Sequence, residues 1–162
     1  MKKIFYLLIL FIFLINTYSC TGYKPIFGSS DLSFKIVDYS ISGDKKLGRL
    51  IYSKLNNLSK STSKNLEAKN IYIYINTKKS KEATAKDDAG KILGYRINLS
   101  TVVTVKDFTT DEKIVDQNFS YSSSYQTQSI FSETKKLEIK SIENLINKTY
   151  QEILIKLSES IL

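Results

Sequence analysis

The chain has 162 residues, a formal net charge of +8, a single cysteine and no histidine. The missing histidine excludes Ser-His-Asp and Cys-His catalysis and, with so little cysteine, the usual zinc sites. One cysteine allows no internal disulfide, and the length suits one domain with a core of its own.

The chain opens on an address. Lys2 and Lys3 form a basic start, and Ile4 to Ile15 is an almost unbroken aliphatic and aromatic run. Asn16 and Thr17 then end the run with polar groups. A membrane-spanning helix needs about 20 apolar residues. This run is shorter, so residues 1–19 read as a secretory signal peptide. Ser19 precedes Cys20, which is where a bacterial lipoprotein is cut and acylated. Lipid on Cys20 accounts for an unpaired cysteine in an exported chain. Ordinary cleavage nearby, leaving a free thiol, is the alternative, since Thr17 stands where leucine is usual and Tyr18 is bulky. Residues 20–30 hold the only proline, Pro25, between Gly22 and Gly28. They read as an extended, lipidated tether to a single domain at 31–162.

Leu32, Phe34 and Ile36 alternate with Ser33, Lys35 and Val37 and predict a first strand over 31–40, buried on one face. Ser42-Gly43-Asp44 is a helix start. Leu47, Leu50, Ile51, Leu55 and Leu58 then recur at helical spacing and predict an amphipathic helix over 44–59. Gly48 within it points to close packing on the sheet. A loop is expected at 59–65. Ile71, Ile73 and Ile75 alternate with Tyr72 and Tyr74, predicting a strand over 67–78 with the isoleucines in the core. Lys78 to Lys91 reads as a long polar connection. A third strand is expected over 95–106, where Tyr95, Ile97, Leu99, Val103 and Val105 share one parity and Thr101 is the exception. A polar turn at 109–112 leads to a fourth strand over 114–125, with Phe119, Tyr121, Ser123 and Tyr125 on one side. From about residue 131 to 159 the period becomes helical, with Leu137, Ile142, Leu145, Ile146, Tyr150, Ile153, Leu154 and Leu157 in one stripe. Ser129 or Ser132 is the expected cap.

The predicted class is therefore α+β: two helices packed on one face of a four-stranded mixed sheet, in the order β-α-β-β-β-α. The other sheet face is left uncovered. It holds Tyr72, Tyr74, Asn98, Ser100 and Thr104, rich in hydroxyl and amide groups, with Arg96 as its main charge. Such a surface suits the wet interior of a protein partner, or else an ordinary solvated face. No phosphate-binding glycine loop is present, and no pair of acids stands out in an apolar setting. The pattern argues for a binding or structural protein with no cofactor, no metal, no catalytic residue and no nucleic-acid partner. The basic charge is mostly lysine, and fits an anionic lipid phosphate or a lysine-rich solvated surface.

Cys20, Gly22, Tyr23, Pro25, Ile26, Phe27 and Gly28, followed by this element order, resemble the LPS-assembly lipoprotein (LptE) family. Leu47-Gly48-Arg49-Leu50 with Leu55 is similar to that family's first helix. Gly94-Tyr95-Arg96-Ile97-Asn98-Leu99 is similar to its third-strand entry, and Ser120-Tyr121-Ser122 to its last strand. The resemblance implies an outer-membrane lipoprotein, facing the periplasm, that plugs and helps assemble a large β-barrel, LptD. It also implies binding of lipopolysaccharide on its way to the outer leaflet. On that reading Arg96, Lys91 and Lys86 are the candidates for lipid phosphate contact, with arginine the better bidentate partner. Two other readings stay open. One is an auxiliary lipoprotein of a lipid-transport ABC system, and the other is a small carboxylate-dependent hydrolase with two converging acids.

Overall fold

The computed structural model describes residues 32–62 and 68–161. The predicted signal peptide, Cys20 and the tether lie outside the described residues. Of the expected 59–65 loop, residues 59–62 instead continue the preceding helix, which ends at Thr62, and 63–65 lie outside the described residues.

Six elements follow in chain order: β1 (Phe34–Gly43), α1 (Lys45–Thr62), β2 (Lys69–Lys86), β3 (Ile92–Asp107), β4 (Lys113–Gln126) and α2 (Phe131–Ile161). The strands lie side by side as β1-β2-β3-β4. β1 runs parallel to β2, and the other two pairings are antiparallel. The parallel pair is joined through α1, as a crossover requires. This is the expected mixed sheet in the expected order.

Both helices cover one face. Ile71, Ile73 and Ile75 of β2 are fully buried there with Ile97, Leu99, Val103 and Val105 of β3. Val115, Phe119 and Tyr125 of β4 join them, with Leu47, Ile51 and Leu55 of α1 and Leu145, Ile153 and Leu157 of α2. Burying each large aliphatic side chain is worth about 1.5–3 kcal/mol. The α2 stripe is buried or half-buried throughout. In α1, Leu50 departs from its predicted stripe and is exposed, because it falls on the outer side of the helix.

The start of α1 is built as its residues require. The Asp44 carboxylate accepts a hydrogen bond from the Leu47 N–H at 3.2 Å, capping an otherwise unpaired donor. Gly43 has a φ of +72°, and a Cβ there would run into the Thr77 carbonyl. Gly48 packs on the sheet: a Cβ on it would stand 2.6 Å from Ile41 Cγ2. The start of α2 is tied by neither Ser129 nor Ser132. The Thr134 hydroxyl accepts from the Gln128 N–H at 2.7 Å.

Three strands differ from expectation, β3 by starting three residues earlier, at Ile92. β1 begins and ends about three residues later, and a bulge between Ile36 and Asp38 resets its parity. Phe34 is buried and Ile36 partly so, but beyond the bulge it is Tyr39 and Ile41 that face the helices, with Tyr39 stacked on Tyr52 at 4.0 Å. The larger correction is at Lys78 to Lys91. Most of this stretch is strand: β2 continues to Lys86, paired with β3 from Ser100 back to Ile92. Only the turn at 87–90 remains, closed by Gly90 at φ +81° and by the Asp87 carboxylate, which accepts from the Ala89 and Lys91 N–H groups. Backbone pairing to β3 carries this half of β2, so it needs no apolar alternation.

Candidate partner-binding sheet face

The alternation of β2 places Tyr72 and Tyr74 opposite the isoleucines, and the antiparallel register places Thr104 and Lys106 beside them on β3. Asn98 and Ser100 fall on the same side, and β4 adds Asp116, Asn118, Ser120, Ser122 and Ser124. The four residues proposed to face a partner, Tyr72, Tyr74, Asn98 and Ser100, therefore do share one uncovered surface. All four are half-buried by their neighbours.

Cross-strand hydrogen bonds knit this surface. Ser42 Oγ and Tyr74 OH are 2.7 Å apart, linking β1 to β2. Asn98 Nδ2 donates to Ser80 Oγ at 3.3 Å and to Glu82 Oε1 at 3.2 Å. Ser100 Oγ donates to Asn118 Oδ1 at 3.0 Å, and Thr104 Oγ1 to Asp116 Oδ1 at 3.1 Å. Hydrogen bonds from Lys113, then from Thr104, hold the Asp116 carboxyl below its ordinary pKa. The polar side chains are thus held in fixed rotamers across all four strands. The arrangement can offer a flat, ordered set of donors and acceptors to a polar surface.

The face is more charged than its sequence implied. Because β2 is long, Lys78 and Glu82 lie on it with Arg96. Arg96 Nη1 stands 3.9 Å from Glu82 Oε1, with both side chains half exposed. Lys86 pairs with Ile92 at the end of β2, and Lys91 sits across the turn, exposed, with Asp87 and Asp88 between them. The three basic candidates therefore share one end of the β2–β3 hairpin, but Arg96 sits on the sheet and the lysines at the tip.

One group was missed altogether. Lys81, expected in a loop, lies on the helix-covered side of β2. Its ammonium is 3.0 Å from Glu138 of α2, 4.0 Å from the centre of the Tyr95 ring and 5.5 Å from that of Tyr125. Only the continuation of the Ile71–Ile75 alternation through Thr77 signals its side. Among the described residues no group of three or more acid, cysteine or histidine side chains is placed to hold a metal.

No family model and no curated protein matches the sequence. Solved structures do match its fold. Rare lipoprotein B from Shewanella oneidensis superposes with a TM-score of 0.51 at 14% identity, covering 75% of this chain and 94% of that one. The fold is that of rare lipoprotein B. An uncharacterized lipoprotein B from Nitrosomonas europaea shares it with a TM-score of 0.56 at 16% identity, covering 82% of this chain and 88% of that one. A minor lipoprotein from Acinetobacter baumannii does so at 0.51 and 16%, covering 75% and 90%.

Proposed function

We propose that this protein is an envelope lipoprotein, anchored in the outer membrane through lipid on Cys20, that seats its uncovered sheet face in the lumen of an LptD-like β-barrel and takes part in lipopolysaccharide transport. The observation that carries this reading is the shared fold with rare lipoprotein B, spanning nearly the whole of those chains. Two physical features support it. The lumen of an outer-membrane barrel is polar, and the uncovered face offers it ordered hydroxyl and amide groups rather than apolar surface. The chain also enters the sheet at Phe34, beside Lys69, at the opposite end of β2 from Lys86. With 18 residues in β2, a rise near 3.3 Å each places the tip on the order of 50 Å from the tether's entry. A lipid-anchored chain of this shape carries Lys86, Lys91 and Arg96 away from its anchor, toward anionic lipid phosphates within the barrel.

The test is a mild-detergent pull-down of the tagged full chain from outer membranes, with mass spectrometry of what accompanies it. A stoichiometric large β-barrel is the expected result. Inner-membrane transport subunits in its place overturn the reading in favour of the ABC-system lipoprotein.

A further inference from the structure

We propose that the outer edge of β4 is a self-association surface, on which β4 of a second copy pairs antiparallel about a two-fold axis at Ser122. The inference goes beyond the plug reading and does not depend on it.

β1 and β4 are the two edges of the sheet, and they are finished differently. Sheet edges are normally blunted by bulges, charges, short strands or covering groups, because unpaired backbone groups template pairing with another chain. β1 has all of these. It is the shortest strand and carries the bulge at Ile36. The Ser59 hydroxyl accepts from the Ile36 N–H at 3.0 Å, and the Asp38 carboxylate accepts from the Tyr39 N–H at 2.7 Å. β4 has none along Gln117 to Gln126. That stretch contains no charge, no proline and no glycine, and its pairing with β3 runs there without a break in register. Among the described residues no side chain caps its outer backbone groups.

The sequence of this edge favours its own copy as the occupant. Reading outward from Ser122 in an antiparallel pair sets Tyr121 against Ser123, Ser120 against Ser124, Phe119 against Tyr125 and Asn118 against Gln126. Phe119 meets Tyr125 and Tyr121 meets Ser123 on the helix-covered side, where Phe119 and Tyr125 are already buried under the helices. Ser120 meets Ser124 and Asn118 meets Gln126 on the open side, and no like charges oppose. The residues beyond β4 agree. Ile130 and Phe131 are 56% and 80% exposed, and they follow the C-terminal end of β4, along which the copy's Ile114 end runs in this register. A two-fold interface is isologous and closed, so it yields a dimer. A closed barrel has no free strand edge to offer, which leaves a second copy as the better-matched occupant.

The test uses the full chain in mild detergent. Directly opposed residues of an antiparallel pair have Cα atoms about 4.5–5.5 Å apart, within disulfide reach. Ser122→Cys is expected to give an oxidant-dependent dimer above the background set by Cys20 in the unsubstituted chain, while Ser53→Cys on the exposed side of α1 gives none. Ser122→Lys and Ser122→Asp each place like charges across the axis and are expected to weaken the dimer roughly fivefold in sedimentation, and mixing the two variants restores it. Should either charged variant fail to fold, mixed Ser120→Cys and Ser124→Cys chains report the same register through their hetero-disulfide. A monomer at all concentrations, no cross-link at Ser122 above background, or a cross-link to a different protein overturns the proposal.

Discussion

The Lys81 ammonium donates to Glu138 Oε2 at 3.0 Å and lies 4.0 Å above the Tyr95 ring, fastening the charged half of β2 to the first turns of α2. Burial pushes the Glu138 carboxyl up, but the hydrogen bond and charge of Lys81, and then those of Lys135, outweigh it and leave the pKa below its ordinary value. A depressed carboxylate contributes stability that is present above its unfolded pKa and is lost as pH falls through the folded one. Lys81→Ala is therefore expected to destabilise by about 1–2 kcal/mol at neutral pH. The gap between wild type and Glu138→Gln closes as pH drops below about 4, the ordinary glutamate range. Thermal melts of both chains across that range check it. A gap that stays constant with pH contradicts the assigned pair.

Gly43 joins β1 to α1 with φ at +72°. The Asp44 N–H donates to the Thr77 carbonyl at 2.6 Å, in the place a Cβ on Gly43 would occupy. Gly43→Ala is expected to cost about 1–3 kcal/mol from the backbone conformation alone, with the carbonyl clash adding to it. Urea denaturation measures this. A neutral substitution would mean the turn relaxes freely.

Thr101 is the exception in the β3 apolar pattern, and it is fully buried opposite Thr77. Neither hydroxyl has a hydrogen-bond partner among the described residues. An unpaired buried hydroxyl costs free energy that an isosteric methyl does not. Thr101→Val is expected to stabilise by about 1 kcal/mol, read as a raised denaturation midpoint with an unchanged slope.

Arg96 and Glu82 form an exposed pair at 3.9 Å, which solvent screens. Replacing Arg96 and Lys91 together with alanine is expected to leave stability within about 0.5 kcal/mol while weakening lipopolysaccharide binding. Unchanged affinity in a direct binding assay removes both residues from the lipid-contact set.

Much of the architecture was legible in order and type, for a physical reason. The isoleucines of β2 and the stripe of α2 repeat at periods only one backbone conformation can bury. Gly43 and Asp44 carry turn and cap chemistry in their own side chains, or in the lack of one. The uncovered face was legible too, since strand alternation assigns Tyr72, Tyr74, Asn98 and Ser100 once their neighbours are assigned. The second half of β2 was not. Its Lys, Ser, Glu and Thr residues have no apolar period, and their strand comes from backbone bonds to β3, from six to 22 residues away along the chain.

By itself, the sequence determined the order of elements, the helix-facing side of most strands and the exclusion of histidine chemistry. These follow from local periodicity and composition, which need no knowledge of distant neighbours. Only the tertiary structure decided that Lys81 meets Glu138, that Arg96 meets Glu82, that Leu50 faces outward, and that β1 is a finished edge while β4 is a bare one. Those outcomes depend on register and on the bulge at Ile36, which shifts the side-chain parity along β1. Register is a property of pairs of strands, and no single stretch of chain contains it.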